Sequence, residues 1–95
     1  MIKYGIGHNP TDLQEIIASN HKKIRKQQGL TQEELAIRAG VSLGSLKRFE
    51  RTGQISLEAL LKLAACLNRM EEFEMLFRPL ENYKAIEKLF SDTKK

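Results

Sequence analysis

The sequence predicts an all-α fold of five short helices with a sixth at the C-terminal end. Three observations predict it. Apolar residues recur at spacings of three and four, with no stretch of β-type alternation. The first four such runs open on a hydroxyl residue able to cap a helix, and the first five close on a glycine, an asparagine or a proline. The length of 95 residues allows one domain around one modest core.

Thr11-Asp12-Leu13-Gln14 reads as a capping box that opens the first helix. Leu13, Ile16, Ile17 and Ile24 then share a face of that helix, and Gly29 supplies a left-handed stop. Thr31-Gln32-Glu33-Glu34 is a second capping box, whose helix turns Leu35 and Ala36 inward and ends near Gly40. Ser42 caps a third helix bearing Leu46 and Phe49, closed by Gly53. Ser56 opens a fourth, in which Leu57, Leu60, Leu61, Ala64 and Leu67 make a broad apolar stripe and Asn68 ends the run in the αL conformation. A fifth helix near Glu71 to Phe77 carries Phe73, Leu76 and Phe77. Pro79 stops it and suits the first turn of a sixth, where Leu80, Tyr83, Ile86, Leu89 and Phe90 form an apolar stripe. The chain thus divides into an arm over 1–10, a compact unit over 11–78, and a helix with its tail over 79–95, whose apolar stripe either folds back on its own domain or pairs two copies of the chain. For the arm, with Gly5, Gly7 and Pro10, a loose terminus stands beside an extension that reaches a partner through Lys3 and Tyr4.

Apolar residues make up 41% and charged residues 29%, as in globular rather than disordered chains. No apolar run approaches the roughly 20 residues that cross a bilayer, and Met1 to Pro10 lacks the basic start and apolar stretch of a signal peptide. Cys66 stands alone, without a disulfide partner or the companions of a zinc site, so a reducing, cytoplasmic setting is expected. The net charge of +4 is unevenly spread. Residues 1–54 hold nine Lys or Arg against five Asp or Glu, whereas residues 55–95 hold seven of each. A one-sided basic surface fits a nucleic-acid binder, and equally a solvated face that keeps the chain soluble. The cluster His21-Lys22-Lys23-Arg25-Lys26 spreads around the first helix and reads mainly as solvated surface.

Six positions in the middle of the chain carry a sharper message. Two helices that cross at close range need a buried anchor (Leu35), a small residue at the crossing (Ala36) and a positive-φ residue in the turn (Gly40). Val41, Leu46 and Phe49 then seat the second of the two helices on the core, with Ser42 as its cap. All of these are filled as a helix-turn-helix requires.

The stretch Gly29-Leu30-Thr31-Gln32-Glu33-Glu34-Leu35-Ala36, followed by Gly40-Val41-Ser42 and Phe49-Glu50-Arg51, resembles the Cro/CI-type helix-turn-helix, the XRE family. The resemblance runs from Leu13 to Phe77 and implies a lambda-repressor-like five-helix domain that binds double-stranded operator DNA as a two-fold homodimer. It implies that the third helix, 43–52, enters the major groove and turns Ser42, Leu43, Gly44, Lys47 and Arg48 toward base edges. Gln32, Ser45, Arg51, Thr52 and Gln54 would meet backbone phosphates. Residue spacing agrees, because Leu43, Gly44, Lys47 and Arg48 are left outward once Leu46 and Phe49 face in. Arg48 and Lys47 can donate to guanine O6 and N7. Leu43 and Gly44 depart from the polar readers common in the family. Leu43 fits a thymine methyl or a partner protein. Gly44 permits close approach to the duplex, or is tolerated at about 1 kcal/mol of helix propensity. The resemblance further implies that Arg25 pairs with Glu50, locking the third helix to the first.

Enzyme chemistry is not expected. His8 and His21 stand apart, Glu71, Glu72 and Glu74 lack metal-ligand geometry, and Cys66 reads as a small core residue, so neither metal nor cofactor is expected. The rival is an interaction module. Arg51-Thr52-Gly53-Gln54-Ile55-Ser56-Leu57, with Glu71-Glu72-Phe73-Glu74-Met75-Leu76-Phe77, is similar to HipB-like antitoxins, which bind both an operator and a toxin partner of the HipA kinase type.

Overall fold

The computed structural model describes residues 9–80. The arm before Asn9, and the expected sixth helix with Tyr83, Ile86, Leu89 and Phe90, lie outside the described residues. Within them the chain forms α1 (Pro10–Gln27), α2 (Gln32–Ala39), α3 (Leu43–Thr52), α4 (Leu57–Cys66) and α5 (Met70–Glu74). The five-helix, all-α expectation holds there, and no described helix is long and apolar enough to cross a membrane.

Local chemistry sets most helix ends. The Thr31 hydroxyl accepts from the Glu34 amide at 3.0 Å and the Glu34 carboxylate accepts from the Thr31 amide at 2.9 Å, so the expected capping box of α2 is present. Ser42 and Ser56 cap α3 and α4 by accepting from Ser45 N–H and Ala59 N–H, each at 3.1 Å. α1 departs from expectation. Its cap is Asn9, whose Oδ1 accepts from the Asp12 amide at 2.8 Å, and Pro10 occupies the first turn. Thr11 is inside the helix. Pro10 has its φ preset for a helix and no N–H to satisfy, so the helix begins two residues earlier than the Thr11 box suggested.

Three helices end in the same way. After α2, Gly40 sits at φ +71°, Val41 N–H donates to Ala36 C=O at 3.1 Å, and Gly40 N–H donates to Ile37 C=O. Gly29 after α1 (φ +72°) and Asn68 after α4 (φ +61°) close their helices with equivalent pairs of bonds. These stops allow sharp turns, so α3 packs on both α1 and α2, and α2 packs on α4.

Leu35, Leu46, Phe49 and Leu63 are the largest fully buried side chains, joined by Ala18, Ala36, Val41, Ala64 and Leu67. The helix-turn-helix anchors are where the sequence put them. Two expectations need correction. On α1 the isoleucine-rich face does not supply the core: Leu13, Ile16 and Ile17 are exposed, and only Ile24 packs partly against the interior. The buried stripe is Ala18, His21 and Arg25, at helical spacings of three and four. On the fourth helix Leu57 is exposed, and Leu63, outside the expected stripe, is fully buried. The fifth helix is also shorter than expected, leaving Leu76 and Phe77 past its end and exposed.

Gly53 is held more tightly than the other turn glycines. Its φ is +82°, and a Cβ there would lie 2.8 Å from backbone atoms of Gln14 in α1. At Gly40 an added Cβ meets nothing within 4 Å, so only the dihedral resists substitution. Gly40→Ala is therefore expected to destabilise by about 1–2 kcal/mol, the αL penalty alone. Gly53→Ala is expected to lose about 1–3 kcal/mol more, because backbone cannot yield as a side chain can. Urea unfolding of both variants beside the parent protein checks this order.

Candidate nucleic-acid interface

The outer surface of α3 is built from what its inner surface leaves over. Leu46 and Phe49 are buried, so Gly44, Ser45, Lys47, Arg48 and Arg51 are exposed, with the Ser42 cap exposed at the N-terminal end. Leu43 is half-buried and packs partly on the core, so it offers only part of its side chain outward. An added Cβ at Gly44 would meet nothing within 4 Å, so no contact inside the described domain requires a glycine there. Ser42 and Ser45 are tied to each other through their hydroxyls at 2.8 Å.

Past the helix, the Thr52 hydroxyl donates to Arg48 C=O at 2.7 Å, and Gln54 is exposed. The Arg48 guanidinium donates to the Gln54 side-chain carbonyl at 2.6 Å. Ser45, Arg48 and Gln54 share a shallow depression with Ile55, Ser56 and Ala59. Of the expected site residues, Leu43, Thr52 and Gln32 are not fully exposed, and Gln32 is the one bonded to the Glu50 carboxylate. It is half-buried, and its amide donates to Glu50 Oε1 at 3.0 Å.

Glu50 is the sole carboxylate of α3, and it faces away from this surface. Its side chain is only 3% exposed. Arg25 grips it with two parallel bonds, Nε to Oε2 and Nη2 to Oε1, both at 2.9 Å. The expected Arg25–Glu50 pair is therefore present, and it is part of a larger network. Arg25 Nη1 also donates to Leu30 C=O at 2.8 Å, bracing the turn between α1 and α2. His21 Nδ1 lies 2.7 Å from Glu50 Oε2, and its ring meets Phe49 edge-on with centroids 5.0 Å apart. A carboxylate can only accept, so His21 donates from Nδ1, and the neutral ring then has its lone pair on Nε2. That Nε2 is buried without a partner among the described residues.

The sequence reading missed His21, which it placed among solvated cations. The available signal was its spacing: four residues before Arg25, it shares the face that reaches Glu50. Lys22, Lys23 and Lys26 are exposed as expected. With its one acid folded inward and neutralised, the outer face of α3 presents cations, hydroxyls, backbone and part of the Leu43 side chain. It can donate to phosphates and base edges. Among the described residues, no group of three or more His, Cys, Asp or Glu could hold a metal ion.

A family model described as helix-turn-helix matches residues 22–73, which takes in the end of α1, all of α2 to α4, and most of α5. A search of curated proteins finds no relative that matches.

The network gives stability a defined pH dependence. Burial lowers the His21 pKa from 6.5, against the raising influence of Glu50. Burial alone would raise the Glu50 carboxyl. The bonds from Arg25 and Gln32, the Arg25 charge and the His21 bond outweigh it and hold Glu50 below 4.5. Both depressed groups bind fewer protons folded than unfolded, so both stabilise at high pH. The His21 contribution is complete above pH 6.5 and fades as pH falls through its folded value. That of Glu50 is complete above 4.5 and fades below it. Denaturant unfolding across this range is expected to show two stages of acid destabilisation, with the upper stage absent in His21→Gln. A parent protein equally stable from pH 7 to pH 5 would contradict it.

Proposed function

Because the chain belongs to the XRE-type helix-turn-helix family of DNA-binding transcriptional regulators, we propose that it is a sequence-specific repressor whose homodimer reads the major groove of its operator with α3. The observation that carries this is the outer face of α3, cationic and hydroxylated, with its single acid turned inward. Ser42, Leu43, Gly44, Lys47 and Arg48 read base edges. Arg48 and Lys47 donate to guanine, Leu43 lays its exposed part on a thymine methyl, and Gly44 lets the helix backbone come close. The vacant space around Gly44 supports that last role. Ser45, Arg51 and Gln54 hold phosphates, and Thr52 joins them only by releasing the hydroxyl proton that it gives to Arg48 C=O. Gln32 does so with whichever amide hydrogen its bond to Glu50 leaves over. Residues 11–78 are the DNA-binding unit, and 79–95, continued by the apolar residues just before Pro79, form the dimerisation segment of a protein acting in the bacterial cytoplasm.

The dimer is supported by apolar surface near the end of the described chain. Met75, Leu76, Phe77 and Leu80 are exposed, and Phe77 adopts φ +55°, a conformation that costs a bulky residue energy without compensating contacts. Two-fold pairing there sets the two copies of α3 about one DNA turn apart, roughly 34 Å, on a palindromic operator. A second reading takes the same surface as the seat of a toxin partner. The chain is then an antitoxin that neutralises a HipA-type kinase while repressing its own operon.

Two experiments follow. On the duplex that the protein selects from a random library, Arg48→Ala is expected to lose about 1–3 kcal/mol and to relax preference at one base pair per half-site. Lys47→Ala is expected to lower the salt dependence of binding as well. An unchanged ratio of selected to random DNA for Arg48→Ala would remove α3 as the reader. In the second, Leu76→Asp with Phe77→Asp is expected to leave the thermal transition in place and convert a dimer to a monomer in sedimentation. A parent protein that stays monomeric at high concentration would overturn the dimer, and capture of a kinase at that surface would favour the antitoxin.

A further inference from the structure

Arg48 and Gln54 are six residues apart, too far to meet along one helix, yet they are hydrogen-bonded at 2.6 Å. The meeting depends on Gly53. Its positive φ reverses the chain at the end of α3, and its contact with the Gln14 backbone fixes that reversal against α1. Gln54 then returns along the helix it has just left. Its backbone N–H donates to Thr52 Oγ1 at 3.1 Å, the Thr52 hydroxyl donates to Arg48 C=O at 2.7 Å, and Arg48 Nη2 donates to Gln54 Oε1. The circuit starts and ends on Arg48. Among the described residues, Gln54 Nε2 has no partner, so the two faces of this amide are differently employed.

We propose that Gln54 is a positioning residue for Arg48: its carbonyl holds the guanidinium at the reading angle while its NH2 donates to a backbone phosphate. Phosphate contact and base reading are thereby made through one side chain. This rests on the reading of α3 as the recognition helix. An arginine has five N–H donors, and the bond to Gln54 uses one, leaving enough for the two acceptors of guanine. An exposed arginine left loose must lose its rotamer freedom when it binds, which amounts to roughly 2- to 12-fold in affinity for one long side chain. Held beforehand, it loses less, and the gain appears only on the base pair that Arg48 reads. Phosphate contacts alone carry no such preference.

The test is a double-mutant cycle on the duplex selected from a random library, scored at every base pair. Gln54→Ala is expected to reduce discrimination about 2- to 12-fold at the same base pair that Arg48→Ala relaxes. In the Arg48→Ala background, Gln54→Ala is expected to weaken all duplexes alike and shift no preference. Gln54→Glu keeps the acceptor and removes the donor, so it is expected to retain discrimination while losing affinity for every sequence. Equal effects of Gln54→Ala in both backgrounds, or sharper discrimination without Gln54, would overturn the positioning role. Loss of discrimination in Gln54→Glu would do the same. If Arg48→Ala relaxes no base pair, the recognition face itself is wrong and this role falls with it.

Discussion

The two oxygens of the Glu50 carboxylate accept four hydrogen bonds: two from Arg25, one from His21 and one from Gln32. These donors come from α1 and α2, so a single side chain of α3 is held by both helices it packs against. Burying an ion pair costs desolvation that attraction alone recovers poorly, and a pair of this kind is weak grounds for net stability. Breaking it is another matter. Arg25 is 7% exposed along its side chain and would be left charged without a partner, a loss of about 3–5 kcal/mol. The network therefore acts mainly on orientation. Apolar packing of Leu46 and Phe49 lets α3 slide or rotate a little, whereas bidentate geometry fixes its angle and register.

That constraint reaches the outer surface. Since Glu50 must face inward to meet its donors, the helical period leaves Lys47, Arg48 and Arg51 outward, and no acid of α3 dilutes their field. At the far end of the helix, the Gly53–Gln14 contact performs a similar service for the chain that follows. One end of the outer surface of α3 is set by the Ser42 cap, the middle by Glu50, and the other end by a glycine pressed on α1. Rigid placement of a few polar groups is what a site on a helix can offer over one on a loop.

The features legible in the sequence are those decided by near neighbours. Thr31 and Glu34, Ser42 and Ser45, and Gly40 with Val41 each lie within a turn of one another, and their chemistry permits few other arrangements. Small Ala36 beside buried Leu35 announced the helix crossing for the same reason. At the start of α1 the Thr11 signal failed because another local signal, that of Asn9 and Pro10, outcompeted it.

By itself, then, the sequence determined five helices, the stops of the first four, the helix-turn-helix anchors and the pairing of Arg25 with Glu50 that its family resemblance implied. Only the tertiary structure decided which face of α1 turns inward. Hydrophobicity favoured Leu13, Ile16 and Ile17, but α3 presents a carboxylate and an aromatic ring. These are met by Arg25 and His21, 25 and 29 residues away from Glu50. The same holds for Gln32 on Glu50, for Gly53 on Gln14 and for Gln54 on Arg48. A buried charge must find its donors wherever the fold brings them. Composition and spacing record the donors that a helix carries, and only packing selects among them.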